Sequence, residues 1–585
     1  MAKKMMEDLV FNQMLCSEGY KVDYAVGTTY SLDLTSFMSL PFSLGFIEDP
    51  DEAMLSSIAY LFTALRMCSN KLAVFCNFSN IKVPEGQKKI YYSLIEKSIF
   101  PINAAKKPTD LVNFHPKVWV IQESEINGDS KRIKVIVMSR NLTNDNSIDA
   151  VCELTGIISD KEVTSKSIEK HKALWDFLNY LKRFADEPKR KMIECLIAGI
   201  KKVKIFDLKD SPFDDYTFIP MGIKEHTMDG RELLEYMHQS REAVIISPFI
   251  DEYALAEFSD FKNKTLITRE MSLTQGIVDC IGKENIYITN QQMLDNEESN
   301  AVDLHSKIFY IRDCECRQRM YLGSTNATRN GFERNVEFLI GLRFAPHQSS
   351  YAKFRENFIN EERDCKFVPM IGLPKENENK ASEIQQTLIL RRQIASIQEA
   401  SVFENENGKY DVTISYCGHC SADATLYPLM YPEKVTELIE KMIFTDIEIE
   451  KLSEFYVIMI GDSKQLIKIK TTGIPEHRDE AICRHIMNKD QFMDCICFLL
   501  ADSKKTYVAE KLMNENLISG RETDDTSKRI KTPALYEELL RTAYERPDIF
   551  EDMDTFVSSL PKDIIPDNFK VIYNDIKNAL KNYTR

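Results

Sequence analysis

Two histidines in this chain stand two residues before a lysine: His115 in "FHPKVWVI" and His305 in "LHSKIFYI". The sequence holds only 9 histidines, and no other has a lysine at that spacing. Each pair is followed by the same series of polar residues: Ser139 and Asn141 with Glu153 beyond, and Ser324 and Asn326 with Glu337 beyond. An imidazole titrates near neutral pH and can act as a nucleophile or as a general acid–base. Lysine and asparagine can hold the oxygens of a phosphoryl group while its charge redistributes. One such histidine on an apolar strand is more often a packed or surface residue than a catalyst. Two in matched contexts make a shared site the better reading.

The elements that would position these residues are strands. "VWVI" and "IKVIVM" flank the first loop, "KIFYI" and "RMYLG" the second, and "NGD" (127–129) marks a hairpin turn. With a strand period of two, His115 and Lys117 share a face, as do His305 and Lys307, and Ser139 shares one with Asn141. The first copy has 26 residues from His115 to Asn141 and the second has 21 from His305 to Asn326. The difference falls in the hairpin loop, where insertions cost little.

This doubled H-x-K…S-x-N pattern resembles the phospholipase D superfamily over roughly residues 1–365. Many members carry an aspartate seven residues after the histidine. Here Gln122 and Arg312 stand there, with Asp313 one place late. The departure is similar to that of the tyrosyl-DNA phosphodiesterases and some bacterial phospholipase-D-type nucleases. The resemblance implies an α/β fold of two pseudo-symmetric repeats, with mixed sheets flanked by helices, and a C-terminal α+β or helical domain. It implies phosphodiester hydrolysis without metal or cofactor, through a phosphohistidine. His115, Lys117, Asn141, His305, Lys307 and Asn326 would be catalytic, and Ser139, Glu153, Ser324 and Glu337 would orient them. Which histidine attacks is left open. Single-chain members often use the N-terminal one, which favours His115. A DNA or RNA nuclease is the first reading, DNA ahead of RNA, serving a bacterial defence or mobile-element system and loaded by a helicase or ATPase partner. The alternatives are a phospholipase or phospholipid-transferring enzyme, and a non-catalytic subunit of a nucleic-acid-processing assembly.

The wider sequence bounds these readings. At 585 residues the chain is expected to hold several domains. The expected divisions are a first repeat at 1–160, a helical connector at 161–235, a second repeat at 236–365, a linker at 366–400 and a C-terminal domain at 401–585. "MMEDLVFNQMLC" (5–16) and "EKVTELIEKMI" (433–443) read as helices. A net charge of −15 argues against a general nucleic-acid coat protein but leaves room for a small basic groove. No run is long and apolar enough for a membrane span, and the start lacks the apolar core of a signal peptide. The 14 scattered cysteines suit a reducing cytoplasm. Oligomerisation is compatible with the sequence. Cys417, Cys420, Cys483 and His485 could supply four zinc ligands, but C-x-H is awkward spacing for one tetrahedral ion, and free thiols are the stronger expectation.

Overall fold

The structure is a computed structural model. It describes residues 17–583 apart from 45–64, 66–67, 85–89, 91, 106, 108–109, 111, 127, 144–146, 209–210, 225–229, 291–302, 360–365, 375–379, 419–423, 462, 501–534 and 559. The helix expected at 5–16 lies outside the described residues.

The apolar runs around His115 build a first sheet from β1 (Tyr20–Thr29), β2 (Leu72–Asn77), β3 (Ile99–Ile102), β4 (Val118–Glu125), β5 (Lys131–Met138) and β6 (Val151–Ile157). Their order is β3-β2-β1-β4-β5-β6. The inner pairs β1–β2 and β2–β3 are parallel, and β1–β4, β4–β5 and β5–β6 are antiparallel. Every residue of β2 is buried because both faces of the sheet are covered. Leu72, Val74 and Cys76 face the C-terminal helices, whereas Ala73 and Phe75 face the second half of the molecule.

The second sheet comprises β7 (Phe213–Met221), β8 (Glu242–Ile246), β9 (Asn263–Thr268), β10 (Ile286–Thr289), β11 (Ile308–Arg312), β12 (Gln318–Gly323), β13 (Glu337–Phe344) and β14 (Phe367–Pro369). Its central order β10-β9-β8-β11-β12-β13 repeats the first sheet strand for strand, with the same senses of pairing. β7 and β14 are added at its two edges. Both additions correct the expected divisions: β7 falls in the stretch read as helical connector, and β14 lies past the boundary at 365. The connector does supply helices α1 (Lys172–Lys182) and α2 (Glu187–Lys201). Asp186 caps α2 by accepting from the Lys189 N–H, and Pro188 sits in its first turn. The apolar stripes of α1 and α2 enter a core cluster shared by both sheets. That cluster also takes Phe114, Ile148, Leu304 and Val336.

The linker region contains α3 (Lys380–Ala395). Beyond it come β15 (Ile397–Glu404), β16 (Tyr410–Tyr416), β17 (Ala424–Pro428), β18 (Lys441–Ile447), β19 (Phe455–Ile460) and β20 (Ser463–Lys468). They are followed by α4 (Arg478–Ile486), α5 (Lys489–Leu500), α6 (Leu535–Glu545), α7 (Pro547–Ser558) and α8 (Asp567–Tyr583). Residues 433–443, expected as a helix, instead hold the short strand Thr436–Glu437 and the start of β18, which pairs with β16. The C-terminal part is knitted into the first half. One sheet runs Leu32–Asp33, Ile81–Lys82, β20, β19, β17, Thr436–Glu437, so strands from both ends of the chain share it. Buried Arg478 pairs with buried Glu96, which also accepts from Ser453 Oγ at 3.0 Å and the Glu454 N–H at 2.9 Å.

Candidate active site

The site is assembled from four backbone segments, each anchored by a buried apolar residue next to the polar one. Phe114 precedes His115, Leu304 precedes His305, Ile148 precedes Asp149 and Val336 precedes Glu337. Burying a side chain such as Phe114 contributes about 1.5–3 kcal/mol, so these anchors hold the polar neighbours in place. The segments are stitched crosswise. His115 N donates to Val336 O at 2.9 Å, and His305 N donates to Ile148 O at 3.0 Å. Each histidine is therefore fixed against the acidic segment of the other half.

The His115 ring is held firmly. Its Nδ1 lies 2.9 Å from Glu337 Oε2, its Nε2 lies 3.1 Å from Lys117 Nζ, and Tyr30 packs on it with ring centroids 4.8 Å apart. Glu337 is fully buried. It accepts from Ser324 Oγ and, through Oε1, from Asn335 Nδ2 at 3.1 Å. Lys117 and Lys307 each reach back to the carbonyl of their own histidine, at 3.1 and 2.7 Å. His115 and Lys117 lie just ahead of β4, and His305 and Lys307 just ahead of β11, so the strand period does not set their facing. Among the described residues the two side chains meet directly only in the first copy. The His305 ring makes no hydrogen bond among the described residues.

The electrostatics tie the two halves together. Burial pushes His115 down to about 4, against the pull of Glu337 and with help from Lys117. Burial likewise takes His305 to about 4, with Lys307 adding to the effect and Asp149 opposing it. Lys117 is held well below the usual lysine range by burial and then by repulsion from Lys307. Lys307 falls to about 8 through burial, opposed by Asp149 and Glu337. Both imidazoles are thus neutral near pH 7. Lys307, from the other half, is close enough to Lys117 for its charge to act there.

Asn141 Oδ1 accepts from the Ser31 N–H at 3.4 Å. Asn326 Oδ1 is buried without a hydrogen-bond partner. Ser139 and Ser324 are fully buried, so they act on the carboxylates rather than on a ligand. Ser324 Oγ donates to Glu337 and accepts from the Phe338 N–H at 2.9 Å. Ser139 Oγ donates to Asp149 Oδ1 at 2.7 Å and accepts from the Ala150 N–H at 2.9 Å.

That pairing corrects the assignment of Glu153. Ala150 occupies the place of Phe338, so Asp149, not Glu153, is the counterpart of Glu337. Glu153 lies on β6, 40% exposed, paired with Lys134 at 3.4 Å. The serine-to-acid spacing is ten residues in the first half and thirteen in the second, where a π-helical turn spans Asn330–Arg334. Asp149, Asn335 and Arg269, whose charge acts on His305, were not singled out from sequence. A register count back from the apolar run of β6 would have found Asp149.

The zinc constellation does not form among the described residues, where no three His, Cys, Asp or Glu side chains converge on a metal position. Cys420 lies outside them. Cys417 is exposed, and Cys483 is buried among the C-terminal helices. Nor, among the described residues, is any helix long and apolar enough to cross a membrane.

No model of a known protein family and no curated protein sequence matches this chain. Among solved structures it is similar to the yeast tyrosyl-DNA phosphodiesterase, with 11% identity over 59% of this chain and 89% of that one and a TM-score of 0.36. A mutant of that enzyme gives 10% identity over 58% and 86%, with a TM-score of 0.37. A polyphosphate kinase from Porphyromonas gingivalis gives 11% identity over 58% of this chain and 42% of its own, with a TM-score of 0.29. At that level of similarity, what the site does has to be argued from its residues.

Proposed function

We propose that the chain is a phosphodiesterase of the phospholipase D type, built from two pseudo-symmetric repeats that share one active site. Within that class we propose a nuclease. The observation that carries the reading is the 2.9 Å contact of His115 Nδ1 with Glu337 of the other half. A proton held on Nδ1 puts the ring's lone pair on Nε2, which attacks phosphorus once a phosphoryl oxygen draws Lys117 Nζ away from its 3.1 Å contact there, and the buried carboxylate stabilises the positive charge that develops on the ring.

In this scheme His115 Nε2 forms the P–N bond as the leaving oxygen departs with a proton from His305. Lys117, Lys307, Asn141 and Asn326 hold the non-bridging oxygens. His305, now neutral, takes a proton from water. The hydroxide so formed breaks the P–N bond and releases the phosphate monoester, and His115 is regenerated. The incoming phosphate anion raises the pKa of His305, whose ring makes no hydrogen bond among the described residues, and makes it a usable acid. The test is hydrolysis of bis(p-nitrophenyl) phosphate and of a labelled oligonucleotide in EDTA. Turnover of both is expected. Absence of turnover on either, or a strict divalent-ion requirement, would overturn the reading.

A further inference from the structure

The turn that follows the first strand of each half is built twice with the same hydrogen bonds. In the first half Thr29 Oγ1 accepts from the Leu142 N–H at 2.9 Å and donates to Ser31 O at 2.7 Å. In the second half Ser247 Oγ accepts from the Ala327 N–H at 3.0 Å and donates to Phe249 O at 2.7 Å. Leu32 bridges to Leu142 as Ile250 bridges to Ala327. Asp33 N donates to Leu142 O at 2.9 Å as Asp251 N donates to Ala327 O at 3.0 Å. Position by position, Ser31 stands where Phe249 stands.

The turn therefore does not need an aromatic residue, yet Phe249 is one and is 51% exposed. It lies between two segments of the site. On one side its turn is joined to Ala327, next to Asn326. On the other, the Arg269 guanidinium sits 4.7 Å from its ring centroid. Arg269 is itself fixed. It donates to Leu304 O at 3.1 and 2.9 Å and pairs with Asp303 at 2.7 Å, on the two residues before His305. One face of the ring is thus backed by a cation held in place, whose charge also acts on His305, and the ring is half exposed. A lone exposed phenylalanine needs no explanation. One at this position, where the duplicate turn uses serine, does.

Resting on the phosphodiesterase reading, we infer that Phe249 is a stacking platform for a nucleobase next to the scissile phosphate, and that the substrate is single-stranded nucleic acid. Stacking on an aromatic face is open to every base and is blocked when the base is paired inside a duplex. Arg269 keeps the ring from collapsing onto the surface and adds charge beside the backbone of the strand.

The experiment measures binding by fluorescence anisotropy, in the turnover-deficient His115→Ala background so that the probe survives. The probes are a labelled single strand of about a dozen nucleotides, an abasic sugar-phosphate chain of equal length, and a duplex. Phe249→Ala and Phe249→Ser should weaken the base-bearing single strand by roughly 5- to 150-fold. Binding of the abasic chain should be unchanged and Phe249→Trp should restore affinity, with the melting temperature of all variants unaltered. Equal weakening on the abasic chain or on the duplex, or no weakening at all, would overturn the inference. The parent protein's failure to hydrolyse any phosphodiester would instead overturn the phosphodiesterase reading, and the anisotropy comparison would still decide whether Phe249 binds bases.

Discussion

The half of the molecule that carries His115 and the half that carries His305 share the order and pairing senses of their central strands and the hydrogen bonds of their site turns, but beyond the edge strands and Phe249 they differ at two points. The first is the orienting acid. Glu337 is long enough to reach across and hold His115 Nδ1. Asp149 is one methylene shorter, and its oxygens are taken by Ser139 Oγ at 2.7 Å and Ser147 Oγ at 2.5 Å. It acts on His305 only through its field. The second is the support behind the site. In the first half the turn continues into Leu32–Asp33, which pairs with Ile81–Lys82, and Ile81 meets Leu466 of β20. In the second half the turn is held within its own sheet, by Ser272 Oγ donating to Pro248 O at 2.7 Å. The two halves share the geometry that brings the histidines together and differ in the parts that, on the proposed scheme, would give each its own role. A nucleophile needs a fixed ring and a fixed tautomer. A general acid–base must exchange protons twice per turnover, and a ring without a tight partner suits that.

The largest effect should come from the histidines themselves. His115→Ala removes the attacking atom and should bring hydrolysis of bis(p-nitrophenyl) phosphate to background. His305→Ala should cost about 10²- to 10⁴-fold in steady-state turnover, most of it in the second step, because p-nitrophenolate leaves without protonation. An acid-labile adduct should therefore accumulate on His115 in His305→Ala, located by tryptic mapping. An adduct on His305 would reverse the roles of the two halves, and half-activity in both variants would mean two independent sites.

Next comes the support behind the first half. Arg478→Ala leaves Glu96 charged and buried without its partner, which should destabilise the chain by about 3–5 kcal/mol in urea unfolding. Hydrogen exchange should show where: protection should fall in β2 and β3 and hold in β8 and β9. Uniform loss across both sheets would mean that the C-terminal part does not brace one half selectively.

How much of this was legible in the sequence differs by kind of signal. The two sheets were readable because long apolar runs must be buried on both faces, and "KLAVFCNF" can hardly be anything but an inner strand. His115, Lys117, His305 and Lys307 were readable because the same H-x-K pair stands twice directly before a long apolar run, although they lie just ahead of β4 and β11 rather than on them. Glu153 was misassigned because counting along the chain assumes equal loops, whereas register is set by which backbone groups bond. Residues 433–443 carry a helical spacing of apolar residues, and pairing of β18 with β16 overrides it. The joining of Ile81–Lys82 to β20 was not readable at all. A two-residue strand has no periodicity, and its partner lies hundreds of residues away.

The unequal acids give a smaller but more specific effect. Glu337→Gln keeps the shape but loses the charge that stabilises the His115 ring, and should cost about 10²-fold or more in kcat on bis(p-nitrophenyl) phosphate. Asp149→Asn should cost about tenfold or less, because His305 has no direct bond to lose. Glu153→Gln, on the exposed surface of β6, should stay within about twofold. Equal losses at residues 149 and 337 would remove the asymmetry from the mechanism.

The smallest effect should be the shift that Asp149 makes in the pH profile, where its charge can be read most directly. On the proposed scheme Lys307 would hold phosphoryl oxygens only as an ammonium, and burial has brought its pKa down to about 8. In the free protein that charge is present below about 8 and lost as the pH rises through it, so kcat/KM on bis(p-nitrophenyl) phosphate, whose leaving group needs no proton from His305, should fall about tenfold per unit above that point. The phosphate of a bound substrate favours the ammonium, so the alkaline limb of kcat should lie higher than that of kcat/KM. On the acid side His115 attacks only when neutral, and its pKa of about 4 keeps it so through the whole neutral range. Asp149 is the first of the charges holding the Lys307 value up against burial. Asp149→Asn should therefore move the alkaline limb of kcat/KM to lower pH, while Glu153→Gln should leave it in place. A limb that stays put in Asp149→Asn, or a flat profile to pH 10 in the parent protein, would show that the lysine of the second half does not carry the charge that binds the phosphate.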